Sequence, residues 1–94
     1  MKRRVHIFIS GRVQGVSFRA HLWKEANAHK VTGWVRNLLD KRVEAVLEGE
    51  DEDVQKVLMW CHKGPMGASV ENIEVFGDTS TEKLVRFDIK GPSD

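Results

Sequence analysis

The stretch Val5-His6-Ile7-Phe8-Ile9-Ser10-Gly11-Arg12-Val13-Gln14-Gly15-Val16-Ser17-Phe18-Arg19 sets the frame for the rest of the chain. Val5, Ile7 and Ile9 alternate with His6, Phe8 and Ser10, the two-residue period of a strand with one apolar face. Gly11 ends that strand, and Gly15 follows in the loop. Ser17 stands where a helix N-cap would stand. Phe18, Leu22 and Ala26 then recur on one side of a helix that runs to about His29, with Trp23 flanking them.

Working outward, Val31 to Leu39 reads as a second strand and Val43 to Leu47 as a third. The short link Asp40-Lys41-Arg42 makes these two a hairpin. The acidic run Glu50-Asp51-Glu52-Asp53 opens a second helix, where its charge favours the positive end of the helix dipole. Val54, Val57, Leu58 and Cys61 follow at i, i+3, i+4 and i+7, one apolar stripe. Gly64-Pro65 stops that helix. A fourth strand covers about Val70 to Phe76, and after a polar turn (Asp78 to Lys83) Val85, Phe87 and Ile89 alternate in a last strand. The order is βαββαβ with a trailing strand. Two helices on one face of a mostly antiparallel sheet would bury both apolar stripes. The expected class is α+β: a ferredoxin-like split βαβ sandwich, with two helices on one face of a four- to five-stranded, mostly antiparallel sheet.

Ninety-four residues suit a single domain over residues 1–94, with no further domain after Asp94. Fifteen basic residues against fourteen acidic ones leave a net charge of +1, which offers no field for gathering nucleic acid. The cluster Lys2-Arg3-Arg4 reads as a solvated strand start. No segment approaches the ~18 apolar residues that span a bilayer, and Val5 to Ser10 is too short for the apolar region of a signal peptide. Cys61 is the only cysteine, so it can form no internal disulfide, and with His62 it supplies no spaced ligand set for zinc. A reducing cytoplasmic setting is expected.

The chemistry concentrates in the loop from Gly11 to Arg19. A strand that feeds a helix through a glycine loop presents free amide N–H groups at the helix start, and these donors with the helix dipole favour an anion, phosphate above all. Glycines at 11 and 15 allow the positive φ that an anion-binding nest requires. Arg19, in the first helical turn, can curl a planar fork of donors over the same hollow. The spacing alone would equally describe an ordinary turn. It is neither a nucleoside triphosphate P-loop, lacking Gly-Lys-Ser/Thr, nor a dinucleotide fingerprint. Asn37 continues the register of Val31, Gly33 and Val35, so its amide sits on the helix-covered face, where an unpartnered amide costs ~1–3 kcal/mol. Either it bonds its own backbone at the strand end, or it faces a water or ligand in the adjoining loop.

The run Gly11 to Arg19 resembles the phosphate-binding signature of the acylphosphatases, and Gly33-Trp34-Val35-Arg36-Asn37 resembles their second signature at about the family's separation. Val43-Glu44-Ala45, Glu48-Gly49 and Gly64-Pro65-Met66-Gly67-Ala68 extend the resemblance over nearly the whole chain. It implies an enzyme that hydrolyses acyl phosphates without metal or other cofactor. Arg19 would bind substrate, Asn37 would position the attacking water, and the amides of Gln14, Gly15, Val16, Ser17, Phe18 and Arg19 would cradle the phosphate. The implied partners are a small-molecule acyl phosphate and inorganic phosphate, as product and inhibitor. No nucleic acid or membrane is implied, and a monomer is expected. Two positions depart from the family's pattern: Lys30, where a glycine commonly closes the first helix, and Lys41, where the hairpin commonly turns on Asp-Gly.

His6, His21, His29 and His62 lack the spacing of a metal site and read as surface or boundary residues, although His21 could reach the acyl part of a substrate. Trp23, Trp34 and Trp60 read as packing residues, since no RNA-recognition aromatic signature accompanies them. The competing function is a non-catalytic ferredoxin-like module that binds a phosphorylated metabolite or a protein. Such a module would keep the loop and Arg19 but would have no use for Asn37. A third reading, part of a larger carbamoyl-phosphate-handling enzyme, is set against the single-domain expectation.

Overall fold

In the computed structural model, which describes residues 1–92, the elements follow in the order β1 (Lys2–Arg12), α1 (Phe18–Ala28), β2 (Thr32–Asn37), β3 (Val43–Glu50), α2 (Asp51–Lys63), β4 (Ser69–Gly77) and β5 (Phe87–Ile89). The five strands lie in the order β4-β1-β3-β2-β5. All neighbours are antiparallel except β2 and β5, which are parallel. This is the expected ferredoxin-like α+β sandwich. No helix among the described residues is long and apolar enough to cross a membrane.

The core lies between the sheet and the two helices. Val5, Ile7 and Ile9 on β1 are buried, as are Val35 on β2 and Val43, Ala45 and Leu47 on β3. The helices close over them with the residues that the sequence spacing selects: Phe18, Leu22 and Ala26 from α1, and Val54, Val57, Leu58 and Cys61 from α2. Burial pushes the Cys61 thiol far up, so it stays protonated and inert. Asp51, Glu52 and Asp53 occupy the first turn of α2, and Gly64 caps its end at φ 70°.

Several boundaries and roles differ from the sequence reading. Ser17 takes the N-cap position of α1 but makes no side-chain cap bond, because its backbone is left-handed at φ 60°. The last strand is three residues long and buries only Phe87; Val85 lies outside it at 73% exposure, and Ile89 is 45% exposed. The alternation there describes an edge strand that the helices hardly cover. Trp23 is also exposed, whereas Trp60 tilts against Phe18 with ring centroids 5.3 Å apart. Arg4 is not solvated: its side chain is mostly buried and pairs with Glu48 at 2.8 Å.

The open face of the sheet carries a feature that the sequence does not advertise. Glu44 is 5% exposed and accepts hydrogen bonds from His6 Nε2 and Arg36 Nε, both at 2.6 Å. Burial alone would raise its carboxyl pKa, but the bonds from Arg36 and His6 outweigh it and hold the carboxyl below the ordinary glutamate range. Above this face, Arg36 and Lys90 lie over the Trp34 ring at 4.9 and 4.4 Å.

Both departures from the family's glycine pattern sit at positive φ, Lys30 at 58° and Lys41 at 82°. The turns therefore keep the backbone that glycine would adopt, and lysine bears the strain. Left-handed backbone costs a non-glycine residue roughly 1–2 kcal/mol, and glycine returns roughly 0.5–1 of that as chain entropy. Lys30→Gly and Lys41→Gly should each stabilise the fold by roughly 0.5–1 kcal/mol, raising Tm by roughly 2–8 °C in calorimetry; a lower Tm would contradict the strain argument. Glu44 ionises more readily folded than unfolded. Its stabilisation is fully present above the unfolded pKa of ~4.3 and is lost as pH falls through the lower folded value. Denaturant titrations from about pH 6 down to about pH 3 should show a flatter loss of stability for Glu44→Gln than for wild type.

Candidate active site

The site forms where β1 and β2 end. Both run antiparallel to β3, so they are parallel to each other and finish at the same end of the sheet. Val43, the first residue of β3, pairs with Ile9 on one side and Asn37 on the other, so the three stand in one row. Cross-strand partners share a face. Ile9 and Val43 point into the core, so Asn37 points towards the helix layer at its open end. From Ile9, β1 continues to Arg12 and then gives way to the loop that starts α1.

Two glycines shape that passage. At Gly11, φ is 123° and a Cβ would lie 2.1 Å from the Ser69 carbonyl oxygen, so no side chain fits. The register between β1 and β4 shifts at this point, forming a bulge that turns the chain out of the sheet. Gly15 has φ 75° and faces open space, and Ser17, two residues on, is also left-handed. The first turn of α1 begins with the bond from His21 N–H to Ser17 O at 3.1 Å. No turn, loop or cap acceptor among the described residues takes the amides of residues 15 to 20. Together these amides form a cluster of donors at a helix start.

A hollow of about 390 Å³ opens there, lined by Gln14, Gly15, Ser17, Phe18, Arg19 and Asn37, with Val13, Ala20 and Ile89 completing its wall. Of the residues expected to bind or act on substrate, Gln14 to Arg19 and Asn37, only Val16 is not in the lining; it packs against the core, close to Gly67. Arg19 is half-buried, and no carboxylate among the described residues pairs with it. Asn37 Oδ1 is buried and accepts no hydrogen bond among the described residues. His21 does not line the hollow; its Nδ1 lies 2.8 Å from the Ser17 carbonyl, which makes Nδ1 the protonated nitrogen. His6 belongs to the open face and His29 pairs with Glu25 at 3.6 Å, so neither joins the site. No lining side chain is a carboxylate, imidazole or thiol, and no cluster of three such groups occurs among the described residues.

The fold and the hollow define a small α+β protein with a glycine loop of unpaired amides at one end of its sheet. Comparison with known proteins makes this specific. A family model described as Acylphosphatase matches residues 5–89. An acylphosphatase of Chloroflexus aurantiacus is 56% identical over 86 residues, 92% of this chain and 94% of that one. The crystal structure of acylphosphatase from Bacillus subtilis superposes with a TM-score of 0.90 at 37% identity, covering 96% of this chain and 99% of that one. Full-length HypF, in a phosphate- and nucleotide-bound form, contains the same architecture at 26% identity and TM-score 0.89; the match covers 98% of this chain but 12% of HypF. The chain belongs to the acylphosphatase family and is a hydrolase of that kind.

The geometry makes Arg19 the one cationic side chain of the hollow. Hydrogen bonds to charged groups contribute about 1.5–3 kcal/mol, so Arg19→Ala should weaken inorganic phosphate binding by about tenfold or more in calorimetry. Arg19→Lys should recover little, because a point charge lacks the planar fork. Unchanged phosphate affinity in Arg19→Ala would place the anion site elsewhere.

Proposed function

We propose that this chain hydrolyses the carboxyl–phosphate bond of small-molecule acyl phosphates to a carboxylate and inorganic phosphate. A water held by Asn37 attacks in line on a phosphate held by Arg19 and the loop amides. The observation that carries this reading is the buried, unpartnered Oδ1 of Asn37 on the same hollow as Arg19. A buried acceptor without a donor costs about 1–3 kcal/mol, and such a cost persists where a ligand or reacting water supplies the donor. A module that only bound phosphate would gain nothing from it.

The chemistry suits this set of residues. The leaving carboxylate has a conjugate acid of pKa about 4, so it departs without a general acid. Phosphoryl transfer proceeds through a loose transition state that the protein assists mainly by positioning and by stabilising charge. The loop amides and Arg19 supply charge stabilisation, and Asn37 Oδ1 accepts a hydrogen bond from the water and so turns its lone pair towards phosphorus. The water's proton passes to a phosphate oxygen of the substrate. The lining among the described residues holds no carboxylate, imidazole or thiol, and the proposed route uses no metal. A single, buried cysteine suits a reducing compartment, and we place the enzyme in the cytoplasm.

Asn37→Ala tests the reading. Turnover of an acyl phosphate should fall by ~10²-fold or more, the scale of one lost oriented polar contact. Inhibition by inorganic phosphate should change little, since the loop and Arg19 remain. Full turnover in the mutant would reduce Asn37 to a strand-end asparagine and favour a binding module. A chelator should leave wild-type hydrolysis unchanged; activity lost to the chelator and restored by a divalent ion would refute the metal-free route.

A further inference from the structure

We infer that Gln14 is a positioning residue for the attack, acting through Asn37 by tying the phosphate loop to the β2–β3 turn. The inference rests on the proposed role of Asn37. Gln14 Nε2 lies 2.9 Å from the carbonyl oxygen of Leu38 and 2.9 Å from that of Arg42. Both partners are acceptors, so the nitrogen of the amide must be the atom that faces them, and its two N–H groups are both used. Leu38 is the residue after Asn37. One side chain therefore connects the loop that cradles phosphate to the strand end that carries the water-holding amide.

The turn does not depend on this connection for its own closure. Leu38 N–H donates to Arg42 O at 2.9 Å and Lys41 N–H to Leu38 O at 3.2 Å, while the Arg42 N–H reaches the Asp40 carboxylate at 3.2 Å. Gln14 takes up the second lone pair of each of two carbonyls that already have a partner. What it adds is the distance between loop and turn.

That distance matters because the ladder holds the Asn37 backbone but nothing among the described residues holds its side-chain oxygen. No hydrogen bond to the protein fixes Oδ1, so the amide sits wherever the end of β2 carries it. The turn beyond it is strained at Lys41, with φ 82°, and needs an external hold more than a relaxed one would. Catalysis by orientation is unforgiving at this scale, since a misplacement of about 1 Å can cost ~10²-fold in rate. A glutamine suits the task better than a charged residue. A neutral amide donates twice without adding charge beside a phosphate site, whereas a carboxylate would repel both carbonyls.

The test uses Gln14→Asn, which keeps the amide and shortens its reach by one methylene, and Gln14→Met, which keeps the bulk and removes the donors. Each is measured for acyl phosphate turnover, phosphate inhibition and thermal unfolding, alone and combined with Asn37→Ala. Both variants should lower kcat by about tenfold or more and shift phosphate inhibition by less than about twofold. In the Asn37→Ala background neither should lower kcat by more than about twofold further, because the group it positions is gone. Losses that multiply with that of Asn37→Ala would overturn the inference, as would equal losses in phosphate affinity and kcat. Wild-type kcat in both variants, or loss of the fold in both, would also overturn it. If Asn37→Ala is crippled while the Gln14 variants are not, only the tether falls. If Asn37→Ala itself keeps full turnover, the water-orienting reading falls first and takes the tether with it.

Discussion

The inward row of β1 is the constraint on which the rest of this molecule depends. Val5, Ile7 and Ile9 are almost wholly removed from water, and β1 is bonded on one side to β3 and on the other to β4. Burying side chains of this size contributes about 1.5–3 kcal/mol each, but only when helices lie over that face. The row fixes register as well. A slip of one residue would place His6 and Phe8 in the core and Ile7 in solvent, so the apolar pattern holds β1 against both neighbours. Because Ile9 is held opposite Val43, and Val43 opposite Asn37, the end of β1 and the end of β2 are placed relative to each other by the core itself. Site geometry is thus inherited from packing.

Where apolar periodicity governed, the sequence was readable. The stripes of both helices, the inner faces of β1 and β3, and the glycine stop of α2 follow from spacing alone, since a period of two or of 3.6 leaves few ways to bury one face. Readings that failed lie at the edges. Val85 falls in the alternating run, yet β5 spans only Phe87–Ile89 and borders solvent. Periodicity states which residues share a face but not whether anything covers it. Arg4 and Glu44 were misjudged or missed for a related reason. A charged residue on an outward face reads as solvated, and its burial arises only when partners from other strands converge, Glu48 on Arg4 and His6 with Arg36 on Glu44.

The site was legible in proportion to how local it is. Glycines before a helix announce donors, and an arginine in the first turn announces a cation. Asn37 needed the strand register to be placed on the helix side, and the resemblance to a family to be given a task. The side-chain bonds of Gln14 left no trace, because they join residues 24 and 28 positions apart and end on backbone carbonyls that any sequence would supply. Ser17 shows the opposite error. Its residue type fits a helix cap, but the loop needs it in a left-handed conformation, and that conformation forfeits the cap bond.

That forfeited bond suggests how the loop divides its interactions. A serine that capped α1 would spend its hydroxyl on an amide at N2 or N3, one of the donors that the proposed phosphate site uses. Side-chain acceptors at a helix start compete with phosphate for the same N–H groups. The loop instead leaves its amides without protein acceptors and takes its rigidity from elsewhere: the bulge at Gly11, the left-handed residues at Gly15 and Ser17, and the Gln14 amide reaching across to the turn. On this view the loop is held by its flanks so that its centre stays free to bind. On the proposed function, the partner that the helix N-terminus lacks is the phosphate of the substrate.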